Sequence, residues 1–211
     1  MNDPGGPRGS AFAAGGPQRS GAFPPRKDAW PWVAMGMVLA ATAFQLHRQG
    51  RLSWCSCGQL YLWAGDTRGP YNSQPPFDPY SFTHVLHGLL YFGVLAWAIP
   101  RLAPAWRLCL ALSLEALWEV LENSDFIIQR YRAETMALGY RGDTIANSLG
   151  DILSCGLGFA LARRLGFRGS VALFAATEVM LLLWIRDSLV LNVVMLTHPL
   201  EAIKAWQVGP Y

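Results

Sequence analysis

Charge is what this sequence has little of. Asp, Glu, Lys and Arg make up 15% of its 211 residues, where an average soluble domain carries about a quarter. Several function signatures are also missing. There is no Gly-rich phosphate loop, no dinucleotide-binding glycine pattern behind a strand, no Gly-x-Ser-x-Gly and no His-Glu-x-x-His. Nor is there a basic surface interleaved with aromatic residues, so nucleotide-driven, serine-hydrolase, zinc-protease and nucleic-acid-binding classes are set aside.

What is present is apolar. Hydrophobic residues reach 52%, nine Trp are included, mean hydropathy is positive, and apolar windows recur near the length that crosses about 30 Å of hydrocarbon. The expected fold is all-α: a polytopic membrane helix bundle of about five transmembrane helices, with a soluble helical bundle as the competing class. Residues 1–28 are rich in Gly and Pro and show no period. They cannot bury enough surface to offset the entropy of ordering, so they read as a disordered cytoplasmic tail. Residues 29–211 then form a single transmembrane helical domain.

Five spans follow: 30–46, Phe82 to Ile99, Trp106 to Ile128, Ala146 to Leu165, and Val171 to about Met195, the last overlong or broken near Arg186. Ala41-Thr42-Ala43 resembles a signal-peptidase site, but the long leading tail and Trp-rich start favour an uncleaved anchor. An outer loop occupies about 47–81. Lys and Arg divide almost evenly between the two sides, so the heavier weight of short loops and the first helix places the tail in the cytoplasm. The location implied is the cell inner membrane, multi-pass.

Under this topology three helices bring polar residues to the outer end of the bundle. At 100° per residue, His84, His87, Gly88 and Tyr91 share one stripe, Glu115, Glu119, Glu122 and Phe126 a second, and Asp143, Asn147, Asp151 and Ser154 a third. Beside the third runs Ala146, Gly150, Ser154, Gly158, Ala162, a small-residue face suited to close helix packing. An acid at a helix centre costs on the order of 2.5 to 3.5 kcal/mol in a bilayer, so these stripes should meet inside. Candidate catalytic residues are His84, His87, Glu119, Glu122, Asp143, Asn147 and Asp151. His84 and His87 at i, i+3 with Glu119, Glu122 and Asp151 also form a candidate ligand set for a divalent metal ion, a mixed N/O set suited to Zn, Mn or Fe. A polar ligand site without metal and a structural network remain open beside it. Glu115, one turn deeper, is expected to have the fewest partners.

Tyr91, Arg130, Arg132, Arg186, Asp187 and Asn192 are candidate binding residues, the two arginines of QRYRAET for phosphate headgroups. Cys55 and Cys57 fall in the outer loop, as a pair, as free thiols or in a redox or metal role; Cys109 and Cys155 read as packing residues. Loop residues Trp54 to Tyr80 could cover the bundle mouth or anchor at the interface. Partners implied are membrane lipids and a lipid-linked substrate, with no nucleic acid.

The chain carries WCSCG, LWAGD, NSQ, FDPYSFTHVLHG, EALWEVLEN, QRYRAET, GDTIANSLGD, IRDSLVLNVVML and HPLEAIKAW in that order. In these motifs, from about Gly50 to Gln207, it resembles an uncharacterised family of alphaproteobacterial multi-pass membrane proteins. The resemblance implies an inner-membrane location and supplies no activity. Pro75 departs from the family pattern, which has His after NSQ. Through His on one span, acids on the next, and Asp143, Asn147 and Gly150, the chain is also similar to VanZ-like membrane proteins, which implies envelope or lipid-linked chemistry. Two functions follow: a membrane protein whose outer-facing His/Glu/Asp site acts on a lipid or lipid-linked substrate, or a non-catalytic protein binding a lipid or partner.

Overall fold

A computed structural model describes residues 29–209, Pro70 and Leu138 apart. The expected tail, 1–28, lies outside the described residues. Seven helices are formed among those described: α1 Trp30–Arg48, α2 Ser81–Ala98, α3 Pro104–Glu122, α4 Asp125–Glu134, α5 Ile145–Ile185, α6 Leu189–Thr197 and α7 Glu201–Val208. They contain no strand beyond one isolated bridge, Trp63 with Phe77. The fold is all-α.

Helix ends follow local chemistry. Pro sits in the first turn of α1 and of α3, where no amide is lost. The expected third span stops short of Ile128: Ser124 turns extended and its hydroxyl accepts from Ile127 N, starting α4 as a separate helix. The expected fourth and fifth spans are the two arms of α5. The only non-helical residue between them is Gly166, at φ 67 and ψ −177, a conformation that a side chain would resist. Both arms have their far ends beside the start of α2. Ser81 donates to Asp151 on the first arm at 2.8 Å, and Phe82 meets Trp184 on the second at 6.3 Å. The expected break near Arg186 is real: Arg186 is left-handed, at φ 55, and α6 follows.

Two of the helices, α2 and α5, are long and apolar enough to cross a membrane. The remaining expected spans are helical but less apolar, and α3 carries Arg107, Glu115, Glu119 and Glu122 within one element.

The small-residue face of α5 is where α2 packs. A Cβ at Gly158 would lie 2.0 Å from Val85 O, one at Gly88 2.0 Å from Cys155 O, and one at Gly150 1.9 Å from Pro76 O. Met35 of α1, Cys109, Leu112 and Ala116 of α3, and Ile152 and Cys155 of α5 form one apolar cluster; Leu86, Leu89, Ala162 and Leu189 form another. The polarity distribution is inverted. Glu115 and Glu119 are 0% exposed, whereas Trp97 is 85%, Phe167 84% and Leu183 81% exposed.

The loop between α1 and α2 is tied to the first turn of α5. Thr144 N donates to Ser73 O, Ile145 N to Leu52 O and Ala146 N to Ser53 O, at 3.1, 2.8 and 3.3 Å. Thr144 Oγ1 accepts from Asn147 N. The orphan amides of a helix start thus find loop carbonyls and a side-chain cap. Cys55 and Cys57 are joined as a disulfide, and Cys109 and Cys155 are buried free thiols.

Candidate functional site

The site is assembled where α2, α3 and the start of α5 converge. His84 and His87 lie one turn apart on α2, and Glu115 on α3 receives both. His84 Nδ1 pairs with Glu115 Oε1, and His87 Nδ1 stands 3.0 Å from each Glu115 oxygen. The expectation that Glu115 has the fewest partners is overturned. Depth along α3 was the wrong guide, because α2 lies alongside so that both imidazoles are level with Glu115. An ionised carboxylate can only accept, so the hydrogen bonds require a proton on each Nδ1. In neutral rings each Nε2 is then left as a base or ligand.

A chamber of about 240 Å³ opens beside these rings. Of the expected catalytic residues, His84, His87, Glu122, Asp143, Asn147 and Asp151 line its wall, and Glu119 is fully buried without lining it. Glu119 is close to His84, Oε1 to Nδ1 being 3.4 Å, yet neither of its oxygens receives a hydrogen bond. Asp151 Oδ2 stands 3.8 Å from His84 Nε2. Of the expected binding residues, Tyr91, Asp187 and Asn192 line the chamber. The arginines are engaged elsewhere: Arg130 Nε donates to Leu196 O, Arg132 Nε to Tyr140 O, and Arg186 Nη1 to Trp206 O and Gly209 O. Glu178, on the second arm of α5, accepts from Leu189 N and Val190 N at the start of α6.

Sequence reasoning missed several wall residues. Tyr80 donates to Asp187 at 3.2 Å, Tyr131 to Asn192 at 3.0 Å, and Tyr140 to both Asp143 oxygens. Asn123 holds Asp143 twice, donating from Nδ2 to Oδ2 at 2.8 Å and accepting the backbone amide at 2.7 Å. Asp78 caps α2, accepting from Tyr80 N and Ser81 N. Its signal was available, since Asp before Pro ahead of an apolar run marks a helix start.

Asp78 and Asp143 lie in the loops that roof the chamber. Burial and then the Asp143 carboxylate push Asp78 up from 3.8 to about 6; burial likewise raises Asp143. A pKa higher in the folded than in the unfolded chain means the folded state binds the proton more tightly. This contribution is full below pH 3.8 and is lost as pH rises to about 6. Asp78→Asn is therefore expected to raise Tm relative to the wild type more at pH 7 than at pH 4.5. Melting curves of both proteins at the two pH values test this, and an unchanged difference would remove the buried-acid account of Asp78.

A second space of about 780 Å³ lies outside the chamber, lined by Arg51, Arg68 and Arg141 among others. Both spaces share Asn72, Ala137, Tyr140 and Asp143. An arginine-bearing vestibule thus adjoins an acid- and imidazole-lined interior.

A family model described as "Protein of unknown function (DUF2585)" matches residues 46–209. The chain is similar to UPF0314 proteins of several alphaproteobacteria. It is 45% identical over 84% of its length to one from Paracoccus denitrificans, covering 92% of that protein. It is 44% identical over 84% of its length to one from Sphingopyxis alaskensis, covering 95% of it, and 42% identical over 87% to UPF0314 protein R03235 of Rhizobium meliloti, covering 93%. No solved structure matches.

Proposed function

Because the chain belongs to the family described as a protein of unknown function (DUF2585), and that description carries no activity, we propose a function from the chamber: an inner-membrane protein that takes the polar head of an anionic lipid or lipid-linked envelope substrate and performs acid–base chemistry on it. The observation that carries this reading is the chamber of about 240 Å³, walled by His84, His87, Glu122 and Asp151, inside a helical body with an apolar exterior. Apolar outside and ionisable inside is the distribution a bilayer requires. In this reading α1, α2, α3 and the two arms of α5 are the five spans. The 1–28 tail is cytoplasmic and the chamber opens to the outer leaflet.

Arg51 and Arg68 donate to the backbone carbonyls of Arg141, Gln49, Gln207 and Gly209, so the exposed Arg141, also lining the vestibule, is the guanidinium whose planar donor fork suits the oxygens of a phosphate. Beyond them, His87 is the candidate general base. Its Nδ1–H is held by Glu115, so Nε2 can take a proton from a water or substrate hydroxyl while Glu115 stabilises the imidazolium that forms. The similarity to VanZ-like proteins through Asp143, Asn147 and Gly150 points to the same envelope chemistry.

The test reconstitutes the full chain in vesicles of phosphatidylglycerol, with and without a polyprenyl phosphate, and follows the headgroups by phosphorus NMR. Headgroup turnover that falls at least about a hundredfold in His87→Ala is expected, the scale of a lost general base. Retention of either lipid by the wild type without turnover would leave a binding protein. Neither retention nor turnover would overturn the headgroup reading.

A further inference from the structure

Among the described residues two groups of side chains are close enough to hold a metal ion, and they differ in what they already possess. His84, His87 and Glu115 lie within 4.8 Å of one another, as do His84, Glu119 and Glu122. The first group is saturated by its own hydrogen bonds, because Glu115 receives both imidazoles. The second is not. Glu119 is fully buried and neither oxygen receives a hydrogen bond. The nitrogen nearest it, His84 Nδ1 at 3.4 Å, is already directed at Glu115.

His84 poses the same problem at its other nitrogen. With Nδ1 protonated toward Glu115, a neutral ring presents the Nε2 lone pair toward Asp151 Oδ2, 3.8 Å away. One acceptor then faces another. Protonating Glu119 would remove its charge but still leave a buried hydroxyl and carbonyl without partners, at roughly 1–3 kcal/mol each. A cation satisfies all of these lone pairs at once. Metal bonds of about 2.0–2.2 Å to nitrogen and oxygen ligands span ligand separations up to about 4.2 Å; with Nδ1 committed to Glu115, His84 offers Nε2, whose 3.8 Å to Asp151 Oδ2 falls below that.

We propose that His84, Glu119 and Glu122, with Asp151 beside them, hold one divalent cation at the floor of the chamber. A mixed imidazole and carboxylate set suits Zn, Mn or Fe(II), with no thiolate to favour softer metals. Glu115 is a positioning residue: it fixes the His84 ring through Nδ1, the carboxylate–histidine arrangement common behind metal ligands. Glu122 and Asp151 line the chamber, so the ion would be reachable by a phosphate oxygen brought in from the vestibule. The inference takes from the headgroup reading only that access; the ligand set stands without it.

The test uses the full chain purified in detergent without chelator. Metal content is measured by plasma mass spectrometry, and affinity by titrating chelator-treated protein with Zn²⁺ or Mn²⁺. About one ion per chain is expected in the wild type, with Glu119→Gln weakening binding more than about a hundredfold and Glu115→Gln about 10- to 100-fold, the range for a second-sphere partner. Leu117→Ala, exposed on α3, should retain the ion. Where Glu119→Gln fails to fold, X-ray absorption of the wild type with Zn²⁺ decides: a shell of one nitrogen with oxygens supports the site, and a sulfur-containing shell overturns it. A wild type that takes up neither ion also overturns it, leaving an imidazolium held among carboxylates. The two readings fail separately. Headgroup binding without metal defeats only the ion, and one ion per chain without headgroup binding defeats only the substrate.

Discussion

Gly158→Ala and Gly88→Ala are each expected to destabilise the protein by about 3 kcal/mol, whereas Gly93→Ala should cost nothing. At Gly158 and Gly88 a methyl group would lie 2.0 Å from a carbonyl oxygen of the facing helix, Val85 O and Cys155 O respectively. Backbone cannot step aside as a flexible side chain can. The helices must separate along α2 and α5, losing the close backbone approach that these glycines permit. Overpacking of this kind costs about 1–3 kcal/mol and occasionally more, and a backbone obstacle belongs at the upper end. Gly93 meets nothing within 4 Å, so there Ala brings only its better helix propensity, about 0.5–1 kcal/mol in favour of the variant. Thermal melts in detergent should show opposite signs at the two kinds of glycine. Equal shifts would mean α2 and α5 are not in contact through these positions.

The second large effect is expected at Glu115, and it reverses the ranking that depth in the helix suggests. Glu115→Gln replaces one acceptor oxygen by an amide donor facing two imidazole Nδ1 groups, both of which now point at Glu115. Removing one partner of a buried ionic network typically costs about 3–5 kcal/mol. Glu119→Gln, in protein stripped of metal by chelator, removes a buried carboxylate that nothing hydrogen-bonds, so its cost should be near zero or negative. Denaturation of the two chelated variants measures this directly. A Glu115→Gln variant as stable as the wild type would show that Glu115 does not hold the histidines.

The sequence was most informative where spacing alone decides position. The stripes of α2, α3 and α5 follow from helical periodicity, and His84, Glu119, Glu122 and Asp151 do come together. The break at Arg186 was legible because a charged, turn-forming pair interrupts an apolar run. Contacts between helices were not legible, since periodicity fixes a residue's angle on its own helix but not its height against a neighbour. Glu115 was misjudged for that reason. Charge marks Arg130 and Arg132 as candidates for headgroups and Arg186 as a binding residue, but it does not reveal that nearby backbone carbonyls already accept from all three. Asn123, Tyr131 and Tyr140 were missed because uncharged polar residues in apolar surroundings give no distinctive pattern until their partners are known.

The loop carbonyls that receive the first amides of α5 have a consequence for how the protein breathes. Helix starts ordinarily exchange their amide hydrogens quickly, because nothing in the helix itself bonds them. Here Thr144, Ile145 and Ala146 depend on Ser73, Leu52 and Ser53, residues of the loop between α1 and α2, of which Ser73 lines the chamber. Their protection against deuterium therefore lasts only while that segment is seated. Exchange at these three positions reports how often the loop lifts from the start of α5, and a molecule bound against Ser73 in the chamber wall should slow it.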